Sequence, residues 1–278
     1  MTELSIIIVS FNTRTHLLNC LRSLSEAPPA APHDITVVDN ASTDGSAAAA
    51  RAQWPAIRVI DHGRNVGFAA ANNVGIRATS GELVLLLNSD TIAPAGAIDT
   101  LVARLAAHPT AAIAGPRLVD GHGAAELSFG AMMSPLAELR QKVITTLHTR
   151  QVSPVSSWVE RATSREQFVD WVSGAALLVY RRDAQAAGLL DERYFLYAED
   201  VDFCAAVRAR GRTVLFAPAS TITHVRGRSR ATAPWEMNTA YRRSQIAFYE
   251  KHQPRWAPML KVYLRLKGEL PDVIPPSR

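Results

Sequence analysis

The first half of the chain alternates short apolar runs with segments whose apolar residues recur at helical spacing. The apolar runs read LSIIIVS (4–10), DITVVD (34–39), IRVID (57–61) and LVLLL (83–87). Helices are predicted between and after these runs, at Leu17 to Leu24, 47–54, 67–79 and 94–107. Strands without polar alternation are typical of parallel sheets covered by helices on both faces. The pattern therefore predicts an α/β fold with a mainly parallel central sheet and helices on both of its faces.

The alternation stops after Pro116. Residues 120–165 are weakly periodic, which predicts loops with a short amphipathic helix. Further elements are predicted as a strand at 168–182, a helix at 200–210, a strand at 213–217, a helix at 234–252 and an irregular tail. Because internal repeats and low-complexity linkers are absent, the sequence favours one domain over residues 1–278.

The composition of the chain indicates the cellular compartment in which the protein is expected. Hydrophobic residues make up 47% of the 278 positions, which is enough for a full core. No apolar run approaches the roughly 20 residues of a membrane-spanning helix, and no secretory leader is visible. The two cysteines, Cys20 and Cys204, fall in helical patterns, so we expect core residues rather than a disulfide. These features favour the cytoplasm.

Basic residues crowd the last third of the chain, although the net charge is only +5. Examples are HVRGRSR (224–230) and KVYLRLK (261–267). Such clusters favour an anionic partner, which could be a diphosphate, an acidic lipid surface or a nucleic acid, and the alternative is a solvated basic face. The interleaved aromatic residues of a single-strand-binding surface are missing, so no nucleic-acid partner is expected.

Polar residues lie at the end of each of the first four predicted strands. They are Ser10 and Asn12, then Asp39 and Asn40, then Asp61, then Asn88, Ser89 and Asp90. Ligands of an open parallel sheet bind outside the carboxyl ends of its strands, so a site is predicted there. Aspartate is also a common turn residue, which is the alternative explanation for each position taken singly.

The loop after the first strand, SFNTRTH, contains no glycine. This argues against a dinucleotide dehydrogenase, a P-loop NTPase and a sugar-nucleotide pyrophosphorylase, which cradle phosphate with glycine-rich loops. An acidic crevice without such a cradle is suited to holding a diphosphate through Mg²⁺ or Mn²⁺, because both ions prefer carboxylate oxygen.

Five motifs in order carry a resemblance to a known family. They are SIIIVSFN, VVDNASTDGS, RNVGFAAANNVGI, LLLNSD and YAEDVDFCAAVRARG. Together they resemble the family 2 glycosyltransferases, particularly the rhamnosyltransferase-like branch, over about residues 4–230. The resemblance implies a GT-A fold with a Rossmann-like sheet, and transfer of a sugar from a nucleoside diphosphate to a hydroxyl with inversion. It also implies a nucleotide-sugar-binding half (about 1–118), an acceptor and catalytic half (about 119–230), and a C-terminal helix and tail (231–278).

The resemblance also implies the donor and metal residues. Asp39 would contact the base or ribose, Asp90 would be the last member of a D-x-D-type metal motif, and His224 would be a second metal ligand. Asn88 departs from the family pattern, since an amide replaces the first carboxylate, and this implies weaker metal dependence. The remaining donor-binding candidates are Ser10, Asn12, Asn65, Gly67, Asn88, Ser89, Arg226 and Arg228.

The sequence AEDVD supplies candidates for the base that deprotonates the acceptor hydroxyl. The family motif points to Asp200 as the base, with Glu199 as the alternative, although acidic residues also suit the first turn of a helix. Trp171, Ser173 and Gly174 are expected near the acceptor, and 175–179 in the core.

The resemblance suggests a dTDP-activated deoxysugar such as rhamnose as donor, with a UDP-sugar as the alternative. A glycan or lipid-linked acceptor is implied, and with it a peripheral contact at the inner face of the membrane. QPRW (253–256) is one residue short of the Q-x-x-R-W motif of processive synthases, so single addition is favoured. The alternative function is a catalytically silent nucleotide-sugar-binding scaffold, against which intact Asp39, Asp90 and Asp200 argue.

Overall fold

The computed structural model describes residues 3–225 and 234–271. The strands are β1 (Leu4–Ser10), β2 (His33–Asp39), β3 (Arg58–Asp61), β4 (Leu83–Asn88), β5 (Thr91–Ile92), β6 (Ala111–Val119), β7 (Phe129–Gly130), β8 (Gln167–Val169), β9 (Trp171–Val172), β10 (Ala176–Tyr180) and β11 (Thr213–His224). The helices are α1 (Arg14–Glu26), α2 (Ser46–Gln53), α3 (Phe68–Arg77), α4 (Ala97–Ala106), α5 (Pro135–Thr149), α6 (Ser153–Ala162), α7 (Arg181–Ala186), α8 (Glu199–Arg208), α9 (Pro234–His252) and α10 (Ala257–Leu266).

The central sheet has the strand order β3-β2-β1-β4-β10-β6-β11-β5, with β8 added to β11. Strands β3, β2, β1 and β4 are mutually parallel, as are β6 and β11. Strand β10 lies antiparallel between β4 and β6, with Ala176 opposite Leu87. The residues that precede β10 therefore lie at the same edge of the sheet as the residues that follow β4. The predicted α/β fold with a mainly parallel sheet is confirmed.

The apolar strands are buried because both faces of the sheet are covered. Alternate residues of β1 and β4 point to opposite faces, as a strand's period of two requires. One face packs against α1 and α4 in a cluster that contains Ile6, Ile8, Leu85, Leu21 and Leu101. The other packs against α3 and α8 in a cluster that contains Ile7, Val84, Leu86, Ile76 and Phe203. Both cysteines are free and buried, as predicted.

Several local predictions were wrong. The C-terminal part, predicted as one helix and a tail, contains a second helix, α10, and the strand predicted at 213–217 continues to His224 as β11. The single strand expected at 168–182 is three short strands, β8, β9 and β10, which pair with β11, β7 and β4 respectively. Strand β6 was not predicted, because its small residues AAIAG carry a weak strand signal. The region 120–165 contains two helices, α5 and α6, rather than one.

The C-terminal helices pack beside the start of α8. Phe248 and Tyr249 of α9 and Ala257 of α10 share a buried cluster with Ala198 and Val201. Among residues 3–225 and 234–271, no helix is long and apolar enough to cross a membrane.

Candidate active site

The ends of β1, β2 and β4 form one crevice. Ser10 lies opposite Asp39 in the register of β1 and β2, and Val9 lies opposite Asn88 in that of β1 and β4. The Ser10 hydroxyl is 3.0 Å from that of Thr13, which is 3.0 Å from the Ser89 hydroxyl. The sheet thus brings Ser10 and Ser89 together, and their hydroxyls join the two loops through Thr13.

Asp39 is buried at the end of β2, and only one of its two carboxylate oxygens accepts a hydrogen bond from the described residues. Its Oδ2 accepts the Ser42 N–H at 2.9 Å. Its Oδ1 is buried, with no hydrogen-bond partner among the described residues. Buried polar atoms are nearly always satisfied, so this oxygen is suited to accept a hydrogen bond from a ligand. Asn12 lies beside it and shapes the loop, because its Oδ1 accepts the Thr43 N–H at 2.8 Å.

The loop before α3 is built around Asn40, which was noted at the end of the second strand but was not among the predicted site residues. The Asn40 amide donates to Asn65 Oδ1 at 2.7 Å, and the Gly67 N–H donates to the same oxygen at 3.1 Å. Gly67 has φ 87°, and a Cβ there would lie 2.4 Å from the Phe195 carbonyl oxygen. Asn65 and Gly67 therefore fix the loop tightly against the segment that leads to α8.

A second group of side chains surrounds Asp90 at the end of β4. His224 Nε2 lies 3.3 Å from Asp90 Oδ1, and His224 Nδ1 lies 3.2 Å from Glu126 Oε2. Burial lowers the pKa of His224, but its bonds to the two carboxylates outweigh burial and raise the pKa to about 9. Asn88 Oδ1 is buried without a hydrogen-bond partner among the described residues. Glu126 was not among the predicted site residues.

Glu199 and Asp200 open α8 after a tight turn. Tyr197 and Ala198 both have positive φ, 70° and 64°, which is costly for residues other than glycine and is often found at functional sites. Asp200 Oδ2 accepts the Gly174 N–H and Oδ1 accepts the Val201 N–H, both at 2.8 Å. Glu199 is buried, and its Oε2 has no hydrogen-bond partner among the described residues.

The pair differs in its protonation chemistry. Burial, followed by the negative charge of Asp200, holds the pKa of Glu199 well above its usual range. Burial also raises the pKa of Asp200, but the N–H donors of Gly174 and Val201 oppose this by stabilising the ionised form. The side chain of Asp200 is half-buried. We therefore assign the proton of the pair to Glu199 and the charge to Asp200.

Two residues bridge the acidic groups. The Asn88 N–H donates to the Ala175 carbonyl at 2.9 Å, and the adjacent Gly174 holds Asp200. A Cβ on Gly174 would lie 3.3 Å from the Cβ of Asp200 and 3.5 Å from the ring of Phe68. The structure therefore places Asn88, Asp90, Gly174 and Asp200 around one crevice.

Trp171 and Ser173 lie on the approach to Gly174. The Trp171 indole donates to the Ala131 carbonyl at 2.9 Å, and the Ser173 N–H donates to the Ser128 carbonyl at 2.8 Å. Both side chains are partly exposed. Arg226 and Arg228 lie outside the described residues. A cavity of about 450 Å³ is lined by Asn65, Val66 and Phe195, and one of about 440 Å³ by Asp202 and Lys251.

A sequence model of glycosyl transferase family 2 matches residues 5–166. The chain belongs to this family. It is 30% identical over 279 positions to the N-acetylglucosaminyl-diphospho-decaprenol L-rhamnosyltransferase of Mycobacterium tuberculosis, a match that covers 95% of this chain and 90% of the relative. It is 26% identical to the low-salt glycan biosynthesis hexosyltransferase Agl10 of Haloferax volcanii over 75% of this chain and 62% of that protein. The predicted family and its glycosyltransferase activity are thus confirmed.

Solved structures of low sequence identity share the fold of this family 2 glycosyltransferase. A mannosyltransferase from Pyrobaculum calidifontis, in complex with GDP-Man and Mn²⁺, superposes with a TM-score of 0.62 at 19% identity, covering 95% of this chain and 69% of that one. GalNAc-T7 with UDP, GalNAc and Mn²⁺ superposes with a TM-score of 0.61 at 15% identity, covering 98% of this chain and 58% of that one. The chain therefore has the GT-A fold.

The side chains of this glycosyltransferase fit a divalent cation with few protein ligands. Asp90 offers a carboxylate, and His224 offers Nε2 once a cation displaces the proton that the raised pKa places there. Glu126 at Nδ1 orients the ring as carboxylates do beside metal-bound histidines. Within residues 3–225 and 234–271, no group of three or more His, Cys, Asp or Glu side chains is arranged as a metal site. A cation here would therefore complete its shell with oxygens of a diphosphate and water.

The third carboxylate of AEDVD has a different role in the enzyme. Asp202 is buried, with Tyr194 Oη at 3.1 Å, Lys251 Nζ at 2.9 Å and His252 Nε2 at 2.6 Å. Lys251 and His252 end α9, so Asp202 ties α8 to the C-terminal helix. Of the three acidic residues, Glu199 and Asp200 therefore remain as candidates for the general base.

Proposed function

We propose that this glycosyltransferase moves a sugar, rhamnose or another deoxysugar, from a nucleoside diphosphate to a hydroxyl of a lipid-linked or other glycan acceptor, with metal assistance and inversion. The observation that carries the proposal is the bridge of Gly174 and Ala175, which joins Asp200 to the Asn88 and Asp90 segment. The Mycobacterium tuberculosis relative, named for an L-rhamnosyl transfer to a diphospho-decaprenol lipid, supports the sugar and the acceptor class.

Donor binding is assigned to the β1, β2 and β4 side of the crevice. The free Oδ1 of Asp39 would accept a hydrogen bond from the nucleobase or ribose. Asp90 and His224 would hold Mg²⁺ or Mn²⁺, and the buried Oδ1 of Asn88 would face the donor. The cation would neutralise charge on the departing diphosphate.

Asp200 is assigned the general base. The acceptor oxygen forms a bond to the anomeric carbon, the bond from that carbon to the diphosphate oxygen breaks, and the hydroxyl proton passes to Asp200. Backbone donors at Gly174 and Val201 keep the carboxylate ionised and correctly aimed. Because Glu199 is protonated, no second negative charge lies beside the Asp200 carboxylate. Attack from the side opposite the diphosphate inverts the anomeric carbon.

A thermal-shift panel of dTDP-, UDP- and GDP-sugars, with and without Mn²⁺, tests donor binding. At about 100 times its Kd a ligand stabilises the native state by about 2.7 kcal/mol, which raises Tm by about 5 to 10 °C in a chain of this size. We expect this rise with dTDP- or UDP-sugar together with Mn²⁺, and a smaller one without metal.

Two aspartates at neighbouring strand ends give a matched comparison for that panel. Asp39→Asn is expected to reduce the shift, because its unpaired oxygen faces the donor. Asp61→Asn is expected to preserve it, because Asp61 is exposed and paired with Arg51 at 2.6 Å. Equal shifts in the wild type and Asp39→Asn would contradict the donor assignment. Donor binding without transfer to any acceptor would instead support the silent scaffold.

A further inference from the structure

The outer face of α10 carries an unpartnered apolar stripe. Its side chains are 62% (Met259), 58% (Val262), 47% (Tyr263) and 84% (Leu266) exposed. Spacing of three, four and seven residues places them on one face of the helix. The opposite face is occupied, because Ala257 and Leu264 are buried and Leu260 packs on the protein. We call the four exposed side chains the outer stripe.

The charged residues of α10 and its immediate flanks have one sign. Residues 254–268 contain no Asp or Glu, and their basic residues are Arg255, Lys261, Arg265 and Lys267. Lys261 pairs with Glu250 at 2.5 Å. For the other three, no ion pair is found in the part of the chain that the structure describes. An exposed apolar stripe bordered by three basic residues without such a partner in the described ranges is complementary to the headgroups and outer acyl chains of an anionic bilayer.

Aromatic residues of α10 and its start strengthen this match. Trp256, directly before the helix, is 43% exposed. The ring of Tyr263 lies 5.3 Å beneath Lys267 Nζ. Tryptophan and tyrosine favour the boundary between water and acyl chains, and lysine extends from that depth to the headgroups.

Helix α10 also lies close to the start of α8, which carries Glu199 and Asp200. Its inner face belongs to the cluster that contains Ala198 and Val201, which flank Glu199 and Asp200. A surface bound at α10 would therefore lie beside the start of α8. We propose that α10 docks flat on an anionic lipid bilayer through the outer stripe and its basic border, and so presents the base to a lipid-linked acceptor. This inference rests on the proposed function for its acceptor but not for the binding itself.

Co-sedimentation of the full chain with vesicles tests the docking. We expect binding to vesicles of equal parts phosphatidylglycerol and phosphatidylcholine at low salt, and little binding to phosphatidylcholine alone. Met259→Glu/Leu266→Glu is expected to weaken binding at least tenfold, because two charges enter the acyl region. Arg265→Gln/Lys267→Gln is expected to weaken it about fivefold for each charge removed.

Matched variants control for apolar exposure and for charge. Phe168→Glu changes a residue of β8 that is 53% exposed, and Arg22→Gln/Arg165→Gln removes two exposed charges elsewhere. Both controls are expected to bind vesicles as the wild type does. All variants are expected to keep the wild-type Tm and the wild-type rate with a short-chain, water-soluble acceptor.

The outcomes separate the inference from the proposed function. Equal vesicle binding by the wild type and Met259→Glu/Leu266→Glu, or no binding at all, would overturn the docking even if soluble-acceptor transfer is intact. A dimer in sedimentation velocity that Met259→Glu/Leu266→Glu abolishes, without vesicle binding, would assign the stripe to a second copy and also overturn it. Stripe-dependent vesicle binding with no transfer to any acceptor would sustain the docking and contradict the proposed function.

Discussion

Asp200→Asn is expected to lower the rate of sugar transfer by about a thousandfold, within the usual range for loss of a general base. The amide cannot take the acceptor proton. It also turns an NH₂ group toward one of the two N–H donors, Gly174 or Val201, that now hold the carboxylate. Donor binding should be retained, because the donor contacts lie on the strand-end side of the crevice. Single-turnover transfer rates and calorimetric donor titration measure the two effects separately.

Glu199→Gln is the matched control for that experiment. Because Glu199 is assigned the proton, its neutral amide counterpart preserves the charge state and should cost far less activity. A larger loss for Glu199→Gln than for Asp200→Asn would move the base to Glu199. Near-normal transfer by Asp200→Asn would remove Asp200 from the mechanism.

The pH profile gives the same assignment a second readout. Burial raises the pKa of Asp200, so the active, ionised form is lost as the pH falls through that raised value. The acid limb of kcat/KM in the wild type should therefore lie above the usual range for an aspartate. Asp200→Asn should lack this limb in its residual activity.

Asp90→Asn is expected to weaken Mn²⁺ binding, measured with nucleoside diphosphate present, by about a hundredfold or more. Asp90 is the one carboxylate of the LLLNSD motif, since Asn88 replaces the other. Glu126→Gln is expected to weaken binding by about 10- to 100-fold, the usual effect of a residue that orients a metal-bound histidine. Calorimetric Mn²⁺ titrations at fixed pH measure both.

Two further variants serve as controls for the effect of Asp90→Asn on Mn²⁺ binding. Glu160→Gln changes an exposed carboxylate that pairs with Arg117, and it should leave Mn²⁺ binding unchanged. Asn88→Asp adds the carboxylate that the family pattern has, and it should tighten binding. An unchanged Mn²⁺ affinity in Asp90→Asn would contradict the metal assignment, and so would weaker binding in Asn88→Asp.

The sequence predicted those parts of the fold that depend on local pattern. Strands β1 and β4 are mostly apolar because both sheet faces are covered, and the runs at 6–9 and 83–87 indicate this directly. The antiparallel insertion of β10 was not predictable, because the direction of a short apolar strand is not encoded in its own residues. Strand β6 was missed because alanine and glycine are uncommon in strands.

The predictability of the site follows the same division. Asp39, Asn88 and Asp90 follow strands, and a parallel sheet brings such residues to one edge. Glu126 was missed because it lies 98 positions from its partner His224, and no spacing pattern in the sequence predicts a contact at that separation. Asn40 and the structural role of Asp202 also depend on distant partners, Asn65 in one case and the end of α9 in the other.

The anomeric configuration of the product directly tests the proposal that Asp200 is the base for a single, inverting displacement. The purified wild-type protein is given a nucleoside diphosphate sugar of known configuration, Mn²⁺ and a lipid-linked or short-chain acceptor, and the new linkage is read by NMR. Direct displacement with Asp200 as base predicts a single product whose anomeric configuration is opposite to that of the donor. A product that retains the donor configuration would contradict the assignment of Asp200 as a base for direct displacement.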